Sequence, residues 1–545
     1  MAIIVSFGKK VITTDYNYSE KYWTEISRII ETKIGSAEIK DSDNVDELLK
    51  MAFNYFCGKF EELILSIKES AFYVYVSFLH EESLELYQKQ LERISIGINE
   101  SDFAISRRIL KIIMEQGCRQ NLIGCPNFMQ DIKINHPKYD ALIEELLYLG
   151  EFAYSMSENI ARNQLFPGML GVSIDKGELT TSTYQPYPTL LKYIEADIPK
   201  HDSHVAVSQS INEFKKLLQD EFNIDYDKLT GFIGHLLSKP EYSFGLSFID
   251  NIIALTQKQF GYDKEFLKDF YSGLTLSADN ALSIQDCILK NQDIHRYIYR
   301  PIIKLLIDDK EYYMIRPLKW AESMMTLSTN AFPFSVYPEE WKKYRAISKF
   351  VNHLDNTHDK ILEEPIAEIL SRNNLFFDTG VESFLTANKT NVNISKTVGD
   401  IDILFIDPHN ALIYICEAKH NRSRFDYNNW KRDYTHFKGK YEEQLSRKIK
   451  WAEENKNVIL EHFQMKFGPE FKHDILTFNV RGIFVINAPT IYMYNGNYRA
   501  LTIRDVENLV AGKYIDAKFE FVKEGTDEKY LIKYPYFDNI RKIFG

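Results

Sequence analysis

Between Val398 and His420 the chain reads VGDIDILFIDPHNALIYICEAKH. Two apolar runs, GDIDILFI and ALIYICEAKH, flank the segment DPHN. Asp, Pro and Asn favour a turn through side-chain bonding to nearby backbone, a fixed φ and tolerance of left-handed backbone. A hairpin is expected, with Asp407 to Asn410 as its loop and Ile406 paired with Ala411. In that register Asp402 faces Ile415 and Asp400 faces Glu417. Side chains alternate with period two, so Asp400, Asp402, Glu417 and Lys419 project from one face. Ile401, Ile403, Phe405, Leu412, Tyr414 and Cys416 project from the other and form a core. A loop one residue longer or shorter would send the acids of one strand to the opposite face.

Three carboxylates gathered on one face repel each other and are costly to bury unless a positive charge lies between them. A divalent cation meets that need. Hard oxygen ligands on a sheet suit Mg²⁺ or Mn²⁺ better than Zn²⁺. Such an ion lowers the pKa of a bound water and stabilises charge building on a phosphate. Lys419, two residues from Glu417 and on its face, is placed to orient that water. This is the chemistry of phosphodiester hydrolysis.

GDID, an apolar strand and then CEAKH resemble the core motif of the PD-(D/E)xK nuclease superfamily, the restriction-endonuclease-like fold. The proline of the family name is absent, and Ile401 precedes Asp402. The resemblance implies Asp402 and Glu417 as ligands of Mg²⁺ (or Mn²⁺) and Lys419 as the catalytic lysine. It also implies a further acid from the preceding helix. Glu363, Ile366 and Leu370 share a helical face by their spacing, so Glu363 is the expected third ligand and catalytic acid, with Glu364 next to it as the alternative. YEEQL is similar to the segment that carries a glutamine on the following helix in some branches, which brings Gln444 to the site. Asp400 either assists or is a solvated residue at the strand start.

The chain carries a formal net charge of -11, so bulk charge announces no nucleic-acid partner. The segment from Glu417 to Ala452 departs from that balance, with ten Lys and Arg against five acids. His420, Arg422 and Lys448 within it are expected to hold substrate phosphates, together with Gln444. Phe425, Tyr427, Trp430, Tyr434, Phe437 and Tyr441 are interleaved and could stack on bases, although core packing is the plainer reading of each ring.

With 545 residues, the chain has room for two to four domains. Helical spacing dominates from about Glu20 to Gly117 and recurs in Asp140–Ala161 and in segments up to about Leu274. FPGMLGVSIDKGELTTSTYQPYP is irregular in pattern. YRPIIKLLIDDKEYYMIRPLKW reads as two strands around an Asp-Asp-Lys turn. An α-β-β-β-α-β-α order follows to the C-terminus. The expected fold class is α+β and multidomain: a mainly helical sensing, regulatory or oligomerisation region over 1–290, a hairpin-containing connector over 291–340, and over 341–545 an α/β restriction-endonuclease-like domain with a central mixed sheet flanked by helices.

Five scattered cysteines without CxxC argue against a disulfide framework or zinc site and fit a reducing cytoplasm. No run is long and apolar enough to span a bilayer, and no signal-peptide pattern opens the sequence. His201 and His204 (HDSH) lack a second ligand pair and read as a polar loop. No GxxxxGK[ST] or GxGxxG occurs, so no nucleotide cradle is expected. The expected activity is a Mg²⁺-dependent endodeoxyribonuclease, with DNA preferred to RNA on the resemblance alone. By analogy with its architecture it would serve as an anti-phage or restriction-type effector, and its helical region would bind a protein partner or a second copy. The competing expectation is a nucleic-acid-binding scaffold that keeps the nuclease fold without cleavage.

Overall fold

A computed structural model describes residues 2–14, 18–34, 38–201, 208–239, 246–422, 426–523 and 525–544. The chain is mixed α/β and divides into two compact units. One comprises residues 1–160, 171–181 and 207–354; the other comprises 161–170, 182–206 and 355–545. No helix among the described residues is long and apolar enough to cross a membrane.

The first unit opens with the hairpin β1 (Ala2–Ser6) and β2 (Lys9–Thr13). Long helices follow, among them α1 (Ser42–Ser66), α2 (Ser70–Leu91) and α3 (Glu100–Gly117). The side chains of Asp41 and Asn99 cap α1 and α3 by accepting backbone N–H groups, which supplies partners the first turn lacks. Later in the chain β3 (Ile302–Ile307) and β4 (Lys310–Met314) pair antiparallel. Asp308 and Asp309, both at positive φ, make the tight turn between them that the Asp-Asp-Lys sequence announces. Helix α4 (Pro317–Thr326) follows directly. The stretch expected to be irregular contains the paired strands Leu170–Asp175 and Glu178–Thr183. Lys176 and Gly177, both at positive φ, join them. Polar Thr and Ser on the second strand mask the alternation that would have marked it.

The second unit is built on a five-stranded sheet. In chain order its elements are α5 (Glu363–Arg372), β5 (Phe376–Val381), β6 (Ile401–Asp407), β7 (Leu412–Lys419), α6 (Tyr427–His436), α7 (Glu442–Glu454), β8 (Asn479–Ile486), β9 (Arg499–Thr502) and α8 (Ile503–Val510). The strand order across the sheet is β5-β6-β7-β8-β9. The first two pairings are antiparallel and the last two parallel. A crossover through α6 and α7 is what a parallel β7–β8 pair demands.

Both faces of the sheet are covered. Ile403, Phe405, Leu412, Tyr414, Cys416 and Ala418 join Ile366, Ile369 and Leu370 of α5 and Val506 of α8 in one core. Phe405 stacks on Tyr414, its cross-strand partner, at 4.5 Å between ring centroids. Leu404, Ile406, Ile413 and Ile415 on the other face are also fully buried. Helix α7 lies over that face at β8, where Gly482 leaves room for Leu445 and Ile449.

The Tyr187–His201 helix belongs to this unit although it precedes the sheet by more than a hundred residues. Its last residue is not in a polar loop: His201 bonds Asp505 at 2.8 Å and Asp197 at 3.0 Å. These two carboxylates raise the His201 pKa, the Asp505 bond most of all. His204 lies outside the described residues.

A Cβ at Gly482 would collide with Ile449 and crowd Leu445. Gly482→Val is therefore expected to push α7 off the sheet and lower the stability of this unit by about 1–3 kcal/mol, read as an earlier urea midpoint.

Candidate active site at a fork in the sheet

The hairpin forms in a register two residues away from the expected one. Ile406 pairs with Ile413, Phe405 with Tyr414 and Ile403 with Cys416, while Asp407 closes the loop against Leu412. The loop is therefore residues 408–411, with Ala411 at φ +52° and Asn410 bonded through its N–H and side chain to Asp407. A shift of two preserves the alternation, so the division of faces survives. It also sets Asp402 beside Glu417, where the expected register had Ile415.

The β6–β7 ladder stops at Ile403–Cys416. Beyond it Ile401 pairs only with Val381 of β5, while Glu417, Ala418 and Lys419 continue in parallel with Phe484, Val485 and Ile486 of β8. The two strands part at this point. Asp402 and Glu417 stand on the two sides of the resulting fork. The Ala418 N–H, which has no ladder carbonyl to meet, donates to Asp402 Oδ2 at 2.6 Å. The end of β7 is tied to β8 through Asn487, which exchanges hydrogen bonds of 2.6 and 2.7 Å with the Asn421 backbone.

Two ammonium groups neutralise the two acids. Lys419 Nζ donates to Glu417 Oε1 at 2.9 Å. Lys448 Nζ, from α7, bonds Glu417 Oε2 and lies 3.5 Å from Asp402 Oδ1. Glu417 and Lys448 are each 4% exposed, and Lys419 is 9% exposed. At this depth charges persist only because each has a partner. Lys419 also lies 5.0 Å from the centre of the Tyr441 ring. Burial pushes the Asp402 carboxyl up to about 7, and the neighbouring Glu417 charge adds to this.

The other expected site residues fall as follows. Glu363 lies in the first turn of α5, with Oε2 3.7 Å from the position a Cβ on Gly380 would occupy. Gly380 sits between the pairs Thr379–Ile403 and Val381–Ile401, on the strand next to Asp402. Glu364 and Asp400 are exposed. Gln444 is one turn before Lys448 on α7, and its side-chain oxygen is buried without a hydrogen-bond partner among the described residues. His420 is buried at the end of β7, and Arg422 is half-buried just beyond it. Of the rings in the basic segment, Tyr427, Trp430 and Phe437 are core residues rather than exposed stacking platforms. Phe425 and Arg424 lie outside the described residues. Cys416 is fully buried on the apolar face, and burial raises its thiol pKa. Among the described residues no group of three or more His, Cys, Asp or Glu side chains is gathered as a ligand set.

No family model, no curated protein and no solved structure matches this chain.

The carboxylate oxygens of Asp402 and Glu417 are the hard donors that Mg²⁺ and Mn²⁺ accept, and Lys448 already places one positive charge on both. The contact of Lys448 with the acids is what the sequence reading missed. A signal for it existed. Leu445, Lys448 and Ala452 are the buried positions of α7, so the lysine occupies an apolar stripe at helical spacing. A lysine there needs a buried acid.

The raised Asp402 pKa has a direct consequence for stability. Between the ordinary value of 3.8 and about 7 the folded state holds a proton that the unfolded state has released. Stability therefore falls as pH rises through that window. Asp402→Asn keeps an oxygen for the Ala418 N–H but cannot ionise. Relative to wild type it is expected to gain on the order of 2 kcal/mol between pH 5 and pH 7.5, measured by chemical denaturation at the two pH values.

Proposed function

We propose that the second unit is a metal-dependent phosphodiesterase with the PD-(D/E)xK arrangement, acting on DNA. The observation that carries this reading is the pair Asp402 and Glu417 at the strand fork, with Lys419 two residues on from Glu417 and bonded to it at 2.9 Å. The order of helix, antiparallel strands, crossover helices and parallel strand around that pair supports it further. Asp402 and Glu417 would hold Mg²⁺ or Mn²⁺, with Glu363 approaching from α5. When bound, such an ion activates a water and offsets charge on the phosphate. Asp402 is oriented for this by the Ala418 N–H, and Glu417 by Lys419 and Lys448. The Lys419 ammonium would position the attacking water and donate to the phosphate oxygen that gains charge. Gln444, on the helix that carries Lys448, and His420 and Arg422, which follow Lys419 in the chain, would hold the substrate strand.

A second reading has its own observation. Lys448 and Lys419 already balance both acids, and the described residues gather no third ligand. On that reading the fork is a structural charge cluster and the unit binds nucleic acid without cutting it.

Incubation of the full chain with plasmid and single-stranded DNA in Mg²⁺, Mn²⁺ or EDTA separates the two. Cleavage that needs the ion and falls by roughly 10²–10⁴-fold in Lys419→Ala supports the nuclease. Metal-dependent cutting that persists in Asp402→Asn and Lys419→Ala would sink the site assignment. DNA retention without cleavage under any of these conditions would favour the binding reading.

A further inference from the structure

The first unit contains a second buried cluster of charge that the nuclease reading leaves unused. His80 on α2, Arg107 and Lys111 on α3, and Lys319 and Glu322 on α4 form it. Arg107 and Lys111 are one turn apart, as are Lys319 and Glu322, so each pair shares a helix face. Glu322 accepts from Lys319 Nζ at 2.7 Å and from Arg107 Nη2 at 3.4 Å. The Lys319 side chain is fully buried and that of Glu322 is 14% exposed. Lys111 interacts electrostatically with Glu322, Arg107 and Lys319, yet has no ion-pair or hydrogen-bond partner among the described residues. Three basic side chains thus gather at Glu322, more than that carboxylate can pair.

Two buried arginines of this unit meet a carboxylate directly, while a third, Arg316, donates to Ser77 Oγ at 3.0 and 2.7 Å. Arg296 bonds Glu115 at 2.9 Å, and Arg300 bonds Glu340 at 2.8 and 3.0 Å. The unmatched cluster also contains unused donor positions. His80 is 1% exposed, and its Nε2 has no hydrogen-bond partner among the described residues. The same holds for the buried Arg107 Nε. Tyr297 closes one side, with its ring 5.7 Å from His80 and 4.9 Å from Lys319 Nζ. Lys111 is half-buried, whereas His80 and Lys319 are fully enclosed. Burial lowers the Lys111 pKa to about 7 and takes His80 well below its usual value, while the Glu322 charge opposes both shifts.

We infer that this cluster is a binding site for a compact dianion of the phosphate class, either free phosphate or a phosphate monoester, held by Lys111, Lys319 and Arg107 with His80 Nε2 as a further donor. Its negative charge pairs the basic groups that Glu322 cannot, and several acceptor oxygens satisfy donors on three helices. The inference does not depend on the nuclease reading.

The test is calorimetric titration and thermal melting of the full chain with sodium phosphate, against sodium chloride at matched ionic strength, with a parallel arm using adenosine monophosphate. Phosphate at about 10 mM is expected to raise the melting midpoint of wild type by several degrees, as binding to the folded state requires. Response to the ester alone assigns a monoester, and response to phosphate alone assigns the free ion. Lys111→Met is expected to weaken binding at least tenfold while melting at or above wild type in chloride, because an unmatched buried charge is gone. Glu322→Gln removes the competing carboxylate and is expected to bind more tightly than wild type while melting lower in chloride. No phosphate-specific or ester-specific response in wild type overturns the inference, as does an undiminished response in Lys111→Met. A Lys111→Met protein that melts well below wild type in chloride and still responds in full overturns it too, since Lys111 is then structural.

Discussion

Two carboxylates, Asp402 and Glu417, are held side by side inside a protein, and the second unit is organised around keeping them tolerable. Buried like charges raise one another's proton affinity and favour separation. Here separation is blocked by the strands that carry them. Neutralisation comes from Lys419 on the same strand and from Lys448 on the covering helix. The helix can approach closely enough only because β8 offers Gly482 beneath Leu445 and Ile449. Crossover, glycine and lysine are thus one arrangement, and each is explicable only with the other two.

The same arrangement gives the site a defined chemical character. Asp402 has its proton affinity raised by burial and by Glu417, so its ionised form is stabilised by any added positive charge. A pair of this kind presents hard oxygen donors, and the lysine beside it is fixed by its bond to Glu417 rather than free to wander. Geometry of this sort serves phosphate chemistry or serves a charge-balanced core. The difference between them is chemical activity, not shape.

Much of the hairpin was legible in advance, for a reason specific to strands. Period-two alternation depends only on parity, so Asp402, Glu417 and Lys419 were assigned to one face despite a register error of two residues. The apolar partners Ile403, Phe405, Tyr414 and Cys416 were assigned to the core on the same grounds. Neither the exposure of Asp400 nor the half-buried place of Glu363 beside Gly380 follows from the sequence, because residue spacing narrows a face without fixing its depth. Lys448 was read as a phosphate-holding side chain, since a lysine in a basic helix is ordinarily solvated. The buried set Arg107, Lys111, Lys319 and Glu322 was invisible for a related reason. Its members are harmless singly on two amphipathic helices, and only packing brings them together. The docking of the Tyr187–His201 helix in the second unit has no local signature at all, because sequence distance says nothing about such a contact.

The bond from the Ala418 N–H to Asp402 Oδ2 bears on how loss-of-function variants here are to be read. An alanine at position 402 deletes a charge and also a wedge: the backbone amide at the parting of the strands loses its acceptor, and β6 and β7 are released to zip further or to fray. An alanine-scan value at this position would therefore blend chemistry with architecture. Asparagine, which keeps the acceptor, removes the charge and leaves the wedge in place.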